Sequence, residues 1–388
     1  MIKQDIPKIR FYSYQGSWTE NRIADIVKIS AGGDVDKVKL KESGKYPVIA
    51  NALTNKGIVG FYEDYKVKAP AVTVTGRGDV GYAVARHENF TPIVRLLTLQ
   101  SEKIDVDYLE NQINSMRILN ESTGVPQLTA PQLGNYKVYY PEIEEQSAIG
   151  SLFRTLDDLL VSYNDNLTNY QSLKATMLSK MFPKAGQTVP EIRLEGFKGE
   201  WEKSKLKDVA HRVQGNDGRM DLPTLTISAS GGWMNQIDRF SANIAGKEQK
   251  NYTLLKKGEL SYNHGNSKLA KYGVVFELQE YEEALVPKVY HSFRVNQLAD
   301  SKFIEIMFST KIPDRELGKL ISSGARMDGL LNISFDDFMN ISIIIPTIKE
   351  QQAISAYFST LDNLINSYQE KFSQLETLKK KLLQDMFI

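Results

Sequence analysis

Apolar residues recur at steps of three and four along two stretches of this chain. Ile149, Leu152, Leu156, Leu159, Tyr163, Leu167, Tyr170, Leu173, Met177 and Met181 mark the first. Ile354, Phe358, Leu361, Ile365, Tyr368, Phe372, Leu375, Leu378, Leu382 and Met386 mark the second. A stripe spaced near 3.5 residues over several heptads, without proline and without glycine beyond Gly150, predicts a long helix seeking a helical partner. Pro141 and Pro346 stand before the stripes with acidic residues close behind, as suits a helix N-terminus, and Pro183-Lys-Ala-Gly186 ends the first. About 38 residues at ~1.5 Å each give rods of roughly 57 Å.

Elsewhere the period falls to two. Lys66–Thr75, Tyr82–Arg86 and Thr91–Leu99 alternate like strands, and Gly258–Tyr262 and Tyr272–Phe276 flank a loop, Asn263–Lys271. Helical patches come next, around Tyr108–Leu119 and Ser301–Ser309. Both regions read as α+β.

The chain also repeats itself. Pro7-Lys-Ile-Arg-Phe-Tyr-Ser-Tyr-Gln-Gly-Ser-Trp18 returns, at an offset of 183, as Pro190-Glu-Ile-Arg-Leu-Glu-Gly-Phe-Lys-Gly-Glu-Trp201. Pro141–Phe182 returns at an offset of 205 as Pro346–Phe387, with 18 of 42 positions identical and no gap. The regions between these segments do not align convincingly. The layout is variable domain 1–140, helix 141–183, variable domain 184–345 and helix 346–388. Two rods so alike are expected to pair antiparallel within the chain, with pseudo-two-fold symmetry, holding the variable domains apart in inverted orientations. The expected packing residues are Leu156, Tyr163, Tyr170 and Met177 against Leu361, Tyr368, Leu375 and Leu382. A single globular bundle and a homodimerising coiled coil are the alternatives.

Within the first variable domain, Thr75-Gly-Arg-Gly-Asp-Val-Gly81 spells the G-x-G-x-x-G of a dinucleotide turn. That motif needs a helix opening on its glycines. Here Tyr82-Ala-Val-Ala-Arg86 comes next, strand-like, so a strand–turn–strand is expected instead. The plain interpretation is a structural hairpin with a solvated arginine. The functional one lets Thr75 and Arg77 approach DNA, where arginine pairs bidentately with guanine. The parallel loop of the second domain offers Asn263, His264, Asn266, Lys268 and Lys271. Ser122-Thr-Gly-Val-Pro-Gln-Leu128 and Ser322-Ser-Gly-Ala-Arg-Met-Asp328 look like corresponding loops, adding Gln127 and Arg326 as candidates beside a plain turn role.

Composition narrows the chemistry. The absence of cysteine excludes disulfides and thiolate chemistry. A net charge of +1 argues against a tail-driven nucleic-acid binder but leaves room for local basic faces. The four histidines, His87, His211, His264 and His291, lack metal-site spacing. Pro313-Asp-Arg-Glu-Leu-Gly-Lys319 has the wrong spacing for a nuclease and reads as a helix start. There is no P-loop, no nucleophile elbow and no adenine-methyltransferase tetrapeptide. Neither a signal peptide nor a membrane span is expected, so the expected location is cytoplasmic.

Together the motifs resemble the DNA specificity subunit of type I restriction-modification enzymes. Pro190–Trp201 is similar to the segment that opens a recognition domain. Glu145-Gln-Ser-Ala-Ile149…Leu156-Asp157 and Glu350-Gln-Gln-Ala-Ile354…Leu361-Asp362 are similar to the family's two helical spacers. The first copy departs slightly, with Tyr14 where the second has Phe197 and Ser17 where it has Glu200. The resemblance implies two target recognition domains separated by two conserved helices in an antiparallel coiled coil. Each domain would read one half of a split double-stranded DNA site, with helix spacing setting the gap. Domains docking on one face of B-DNA would lie about 34–36 Å apart. It implies no catalysis and no cofactor in this chain. Two modification subunits would bind S-adenosylmethionine and methylate adenine, and restriction subunits using ATP and Mg would join. The rival expectation is a non-catalytic coiled-coil scaffold whose variable domains bind proteins.

Overall fold

A computed structural model describes residues 6–118, 126–240, 246–265, 267–321 and 330–388. Gly124, Asn266, Gly324 and Arg326 lie outside the described residues. The chain forms two compact units, 1–166 with 368–388, and 167–367. The two long helices run Ile143–Lys180 and Ile348–Asp385, two residues after each proline, and each contributes a part to both units.

In the first unit a four-stranded antiparallel sheet has the order 28–31, 97–100, 71–74, 83–86. Its inner strand Ala71–Val74 is buried on both faces, which its apolar and β-branched residues suit. A three-stranded sheet pairs 46–49 with 58–62 and 91–92, and Thr19–Arg22 pairs with Lys137–Tyr140. The helix Val106–Ser115 starts where the Asp105 carboxylate accepts the Tyr108 N–H at 2.9 Å.

The second unit repeats this frame, although its sequence does not announce it. Its four-stranded sheet has the order 210–212, 291–295, 260–263, 274–277, and Glu202–Lys205 pairs with Ser342–Ile345. The helix Ser301–Ser309 starts on the Asp300 carboxylate, again at 2.9 Å. Its antiparallel pair 225–228 with 232–235 parallels the pair 46–49 with 58–62, and its pair 253–256 with 283–286 extends what is a single antiparallel bridge, Val67 with Phe90, in the first unit.

Buried polar contacts recur in both units. The Gln146 side chain accepts from Asp105 N at 3.0 Å and donates to Pro141 O at 2.8 Å. Gln351 does the same with Asp300 N at 3.0 Å and Pro346 O at 2.9 Å. Arg10 grips Glu145 through two bonds of 2.7 and 2.6 Å, and Arg193 grips Glu350 through two of 2.7 Å. The arginine of each Pro-x-Ile-Arg motif is thus tied to the glutamate of a Glu-Gln motif. Backbone hydrogen bonds from Ile9 N to Asp385 O and from Ile192 N to Lys180 O, each 2.9 Å, seat each motif on a helix end.

Inside each unit the helices pair antiparallel. In the first, Phe153 meets Phe387 at 5.6 Å, Lys379 bonds Asp157, and Tyr163 meets Tyr368 at 5.5 Å. Leu156 is buried there, with Leu375 and Leu382 packed against the same core. In the second, Lys174 bonds Asp362, Leu361 is buried, and Tyr170 and Met177 pack against the core. Leu159, Leu173 and Leu378 of the apolar stripe remain exposed. A two-helix seam covers a narrower face than the stripe they belong to.

Candidate nucleic-acid interface

The glycine-rich turn of the first unit joins Ala71–Val74 to Ala83–Arg86, an antiparallel strand and not a helix. Thr75 is buried, and its hydroxyl accepts from Tyr82 N at 3.0 Å while donating to Asp79 O. Its role here is to close the turn. Gly81 has φ +87°, and a Cβ on it would lie 2.7 Å from Ile118. A Cβ on Gly76 would lie 2.6 Å from Arg95 O, so this glycine permits a close backbone approach.

Arg77 is exposed and bridged backbone-to-backbone with Gln127, flanked by Gly78 N to Pro126 O at 3.2 Å and Leu128 N to Gly76 O at 2.9 Å. The structure therefore brings two of the candidates side by side. It adds a second guanidinium, because Arg95 donates to Gln127 Oε1 at 3.4 Å. Thr91–Leu99 is not one strand as its alternation predicted. Strands 91–92 and 97–100 are separated by Val94 and Arg95, at φ +44° and +61°. Left-handed backbone at a β-branched residue is unfavourable and needs support. Asn51 supplies it, since its amide donates to Val94 O and accepts Gly76 N at 2.7 Å.

In the second unit the corresponding loop runs from strand Leu260–Asn263 to strand Val274–Glu277. Its base repeats the first: Gly265 bridges Leu330, and Leu331 N donates to His264 O at 2.8 Å. His264 is buried, with ring nitrogens 2.7 Å from Leu331 O and 2.9 Å from Val289 O, and it stacks on His291 at 4.7 Å. Burial pushes the His291 imidazole down to about 4. These histidines belong to the core, so His264 does not face DNA as the sequence had suggested. Asn263 is half-buried, donating to Ile227 O at 3.2 Å and accepting from Gly265 N at 3.1 Å. Lys268 and Lys271 are exposed.

Set beside known proteins, the chain matches the type I restriction modification DNA specificity domain twice, over residues 15–195 and 198–377. The chain belongs to this family. The specificity domains lie on the two α+β frames described above, and DNA sequence recognition in type I restriction-modification is their function. A Mycoplasma pneumoniae protein described as a putative type I specificity subunit is 26% identical over 39% of this chain and 43% of its own length. The specificity subunit of the type I restriction enzyme MjaVIII from Methanocaldococcus jannaschii is 22% identical over 94% of this chain and 91% of its own. A crystal structure of the S subunit from M. genitalium shares the fold, with TM-score 0.65, 15% identity and 99% coverage of both chains.

Sequence reasoning about the specificity domains missed Arg95 and Asn51, which lie far apart in sequence from Arg77 and meet its loop only through the fold. It also assigned no role to Arg10, Glu145, Arg193 and Glu350, although each stands inside a repeated segment; recurrence of opposite charges in both copies was the available signal. Among the described residues no cluster of three histidine or carboxylate side chains could hold a metal ion. No described helix is long and apolar enough to cross a membrane.

Proposed function

We propose that each specificity domain reads one half of a split, asymmetric double-stranded DNA site for partner subunits that methylate adenine and restrict DNA. The observation that carries this reading is one β-frame occurring twice with unlike tips on the same loop. Arg77-Gly78-Asp79 occupies it in the first unit and Lys268-Leu269 in the second. Like frames with unlike tips suit two readers of different half-sites. Arg77, Arg95 and Gln127 supply guanidinium and amide groups, which pair with guanine and adenine edges or hold phosphates. Lys268 and Lys271 supply point charges for phosphates.

In this reading the chain is non-catalytic and acts in the cytoplasm with two modification subunits and with restriction subunits. S-adenosylmethionine belongs to the modification subunits, and ATP and Mg to the restriction machinery.

The test is a genome-wide map of N6-methyladenine with the gene present, deleted, or carrying one exchanged specificity domain. A split motif that vanishes on deletion, and changes in one half on exchange, is the expected result. Both halves changing together would overturn modular reading. Binding by the assembled complex that ignores salt and DNA sequence would favour the protein-binding scaffold instead.

A further inference from the structure

The loop of the second unit ends in a feature that its counterpart lacks. Ser267 and Ala270 exchange backbone hydrogen bonds of 3.1 and 3.2 Å, and the Ser267 hydroxyl also accepts Ala270 N at 3.1 Å. This closes a two-residue tip made of Lys268 and Leu269. Ala270 is buried, whereas Leu269 is 69% exposed. Behind the tip, Lys271 lies over the Tyr272 ring at 5.3 Å, and Tyr262 Oη donates to Tyr272 O at 2.6 Å, anchoring the loop to the sheet. Among the described residues neither Lys268 nor Lys271 is paired with a carboxylate. An isolated surface leucine is ordinary. One held at the apex of a hydrogen-bonded tip between two unpaired lysines combines an apolar probe with charges suited to a phosphate backbone.

We infer that Leu269 reads DNA by apolar contact with the 5-methyl group of a thymine in the half-site of the second specificity domain. The inference rests on the DNA-reading function proposed above and adds to it the chemical group recognised. In the major groove only thymine presents a methyl group, and apolar side chains distinguish it there. Lys268 and Lys271 would hold the flanking phosphates, fixing the register in which the leucine meets the base edge. The first unit, with Arg77-Gly78-Asp79 at its tip, has no such probe and would read by hydrogen bonds.

The experiment uses the whole chain assembled with its modification subunits and duplexes carrying the mapped methylation motif. Each thymine of the second domain's half-site, assigned by domain exchange, is replaced in turn by deoxyuridine, which removes only the methyl group. One replacement should weaken wild-type binding about fourfold, the worth of one buried methyl. Leu269→Ala should bind both duplexes equally, while Leu269→Met should keep the preference for thymine. A half-site without thymine, no methyl effect at any position, or the same effect in wild type and Leu269→Ala would overturn the contact. If the wild-type complex shows no sequence preference, the proposed function fails instead.

Discussion

Arg193 and Glu350 allow a quantitative test of what fastens the second unit together. The Glu350 side chain is 2% exposed and that of Arg193 is 16% exposed, and two bonds of 2.7 Å join them. Arg193 also donates to Gly199 O, tying the Pro190–Trp201 segment to the helix start. Arg193→Ala leaves a buried carboxylate without its counter-ion, a change that costs about 3–5 kcal/mol. For a domain of this size that lowers the unit's melting transition by about 6–20 °C. Removing both charges together, as in Arg193→Met with Glu350→Leu, leaves only the lost bond to Gly199 O, roughly 1 kcal/mol. The double variant should therefore be more stable than the single one by about 2–4 kcal/mol. Because the chain has two units, the assay should be native-state hydrogen exchange resolved by segment, read at Ile192–Trp201 and at the start of the helix Ile348–Asp385. A single-variant loss below about 1 kcal/mol, or a double variant no better than the single, would refute the buried-charge argument. Arg10→Ala should produce the same loss in the first unit, where Glu145 is also 2% exposed.

Burial, with Asp157 nearby, raises the Glu110 carboxyl to about 7. The folded state then holds a proton that the unfolded chain releases near 4.3, so the first unit loses stability as pH rises through 7, by up to roughly 3 kcal/mol. Glu110→Gln should flatten that dependence in thermal melts between pH 5 and pH 8.5. The second unit should respond in the opposite sense, because His291 is held down to about 4 by burial. Its unfolded form takes up a proton near 6.5, so stability is present above that pH and falls as pH drops toward 4; segment-resolved exchange at Tyr262 and Phe293 at pH 5 and pH 7.5 reads this directly. Gly76→Ala should lower DNA affinity of the assembled complex and loosen the turn, since its Cβ would meet the backbone carbonyls of Arg95 at 2.6 Å and Leu128 at 3.1 Å. Equal affinity in titrations of Gly76→Ala and wild type would show that the close approach of these loops does not matter.

Much of this protein was legible in one dimension because its strongest signals are local. Helical periodicity located both long helices to within a few residues, since a side-chain stripe depends only on spacing along the chain. The two matched segments revealed an internal repeat because their residues share the same neighbours in each copy. The failed glycine motif was equally readable, since the residues just after Gly81 form a strand in pattern and in structure.

Tertiary structure decided what depends on partners distant in sequence. The two variable domains share a four-stranded frame that no alignment exposed, because sheet order is set by pairings between strands far apart in the chain. His264 looked available on a polar loop, yet its ring nitrogens are engaged by the carbonyls of Leu331 and Val289. Val94 and Arg95 interrupt an apparently continuous strand because Asn51 holds them in a left-handed turn. Sequence determined the helices, the repeat and the family; only the folded chain determined which polar groups are consumed in building the frame and which, such as Arg77 and Lys268, remain exposed. The reason is that a side chain's freedom to bind a ligand is a property of its surroundings, and those are assembled by contacts that local pattern does not encode.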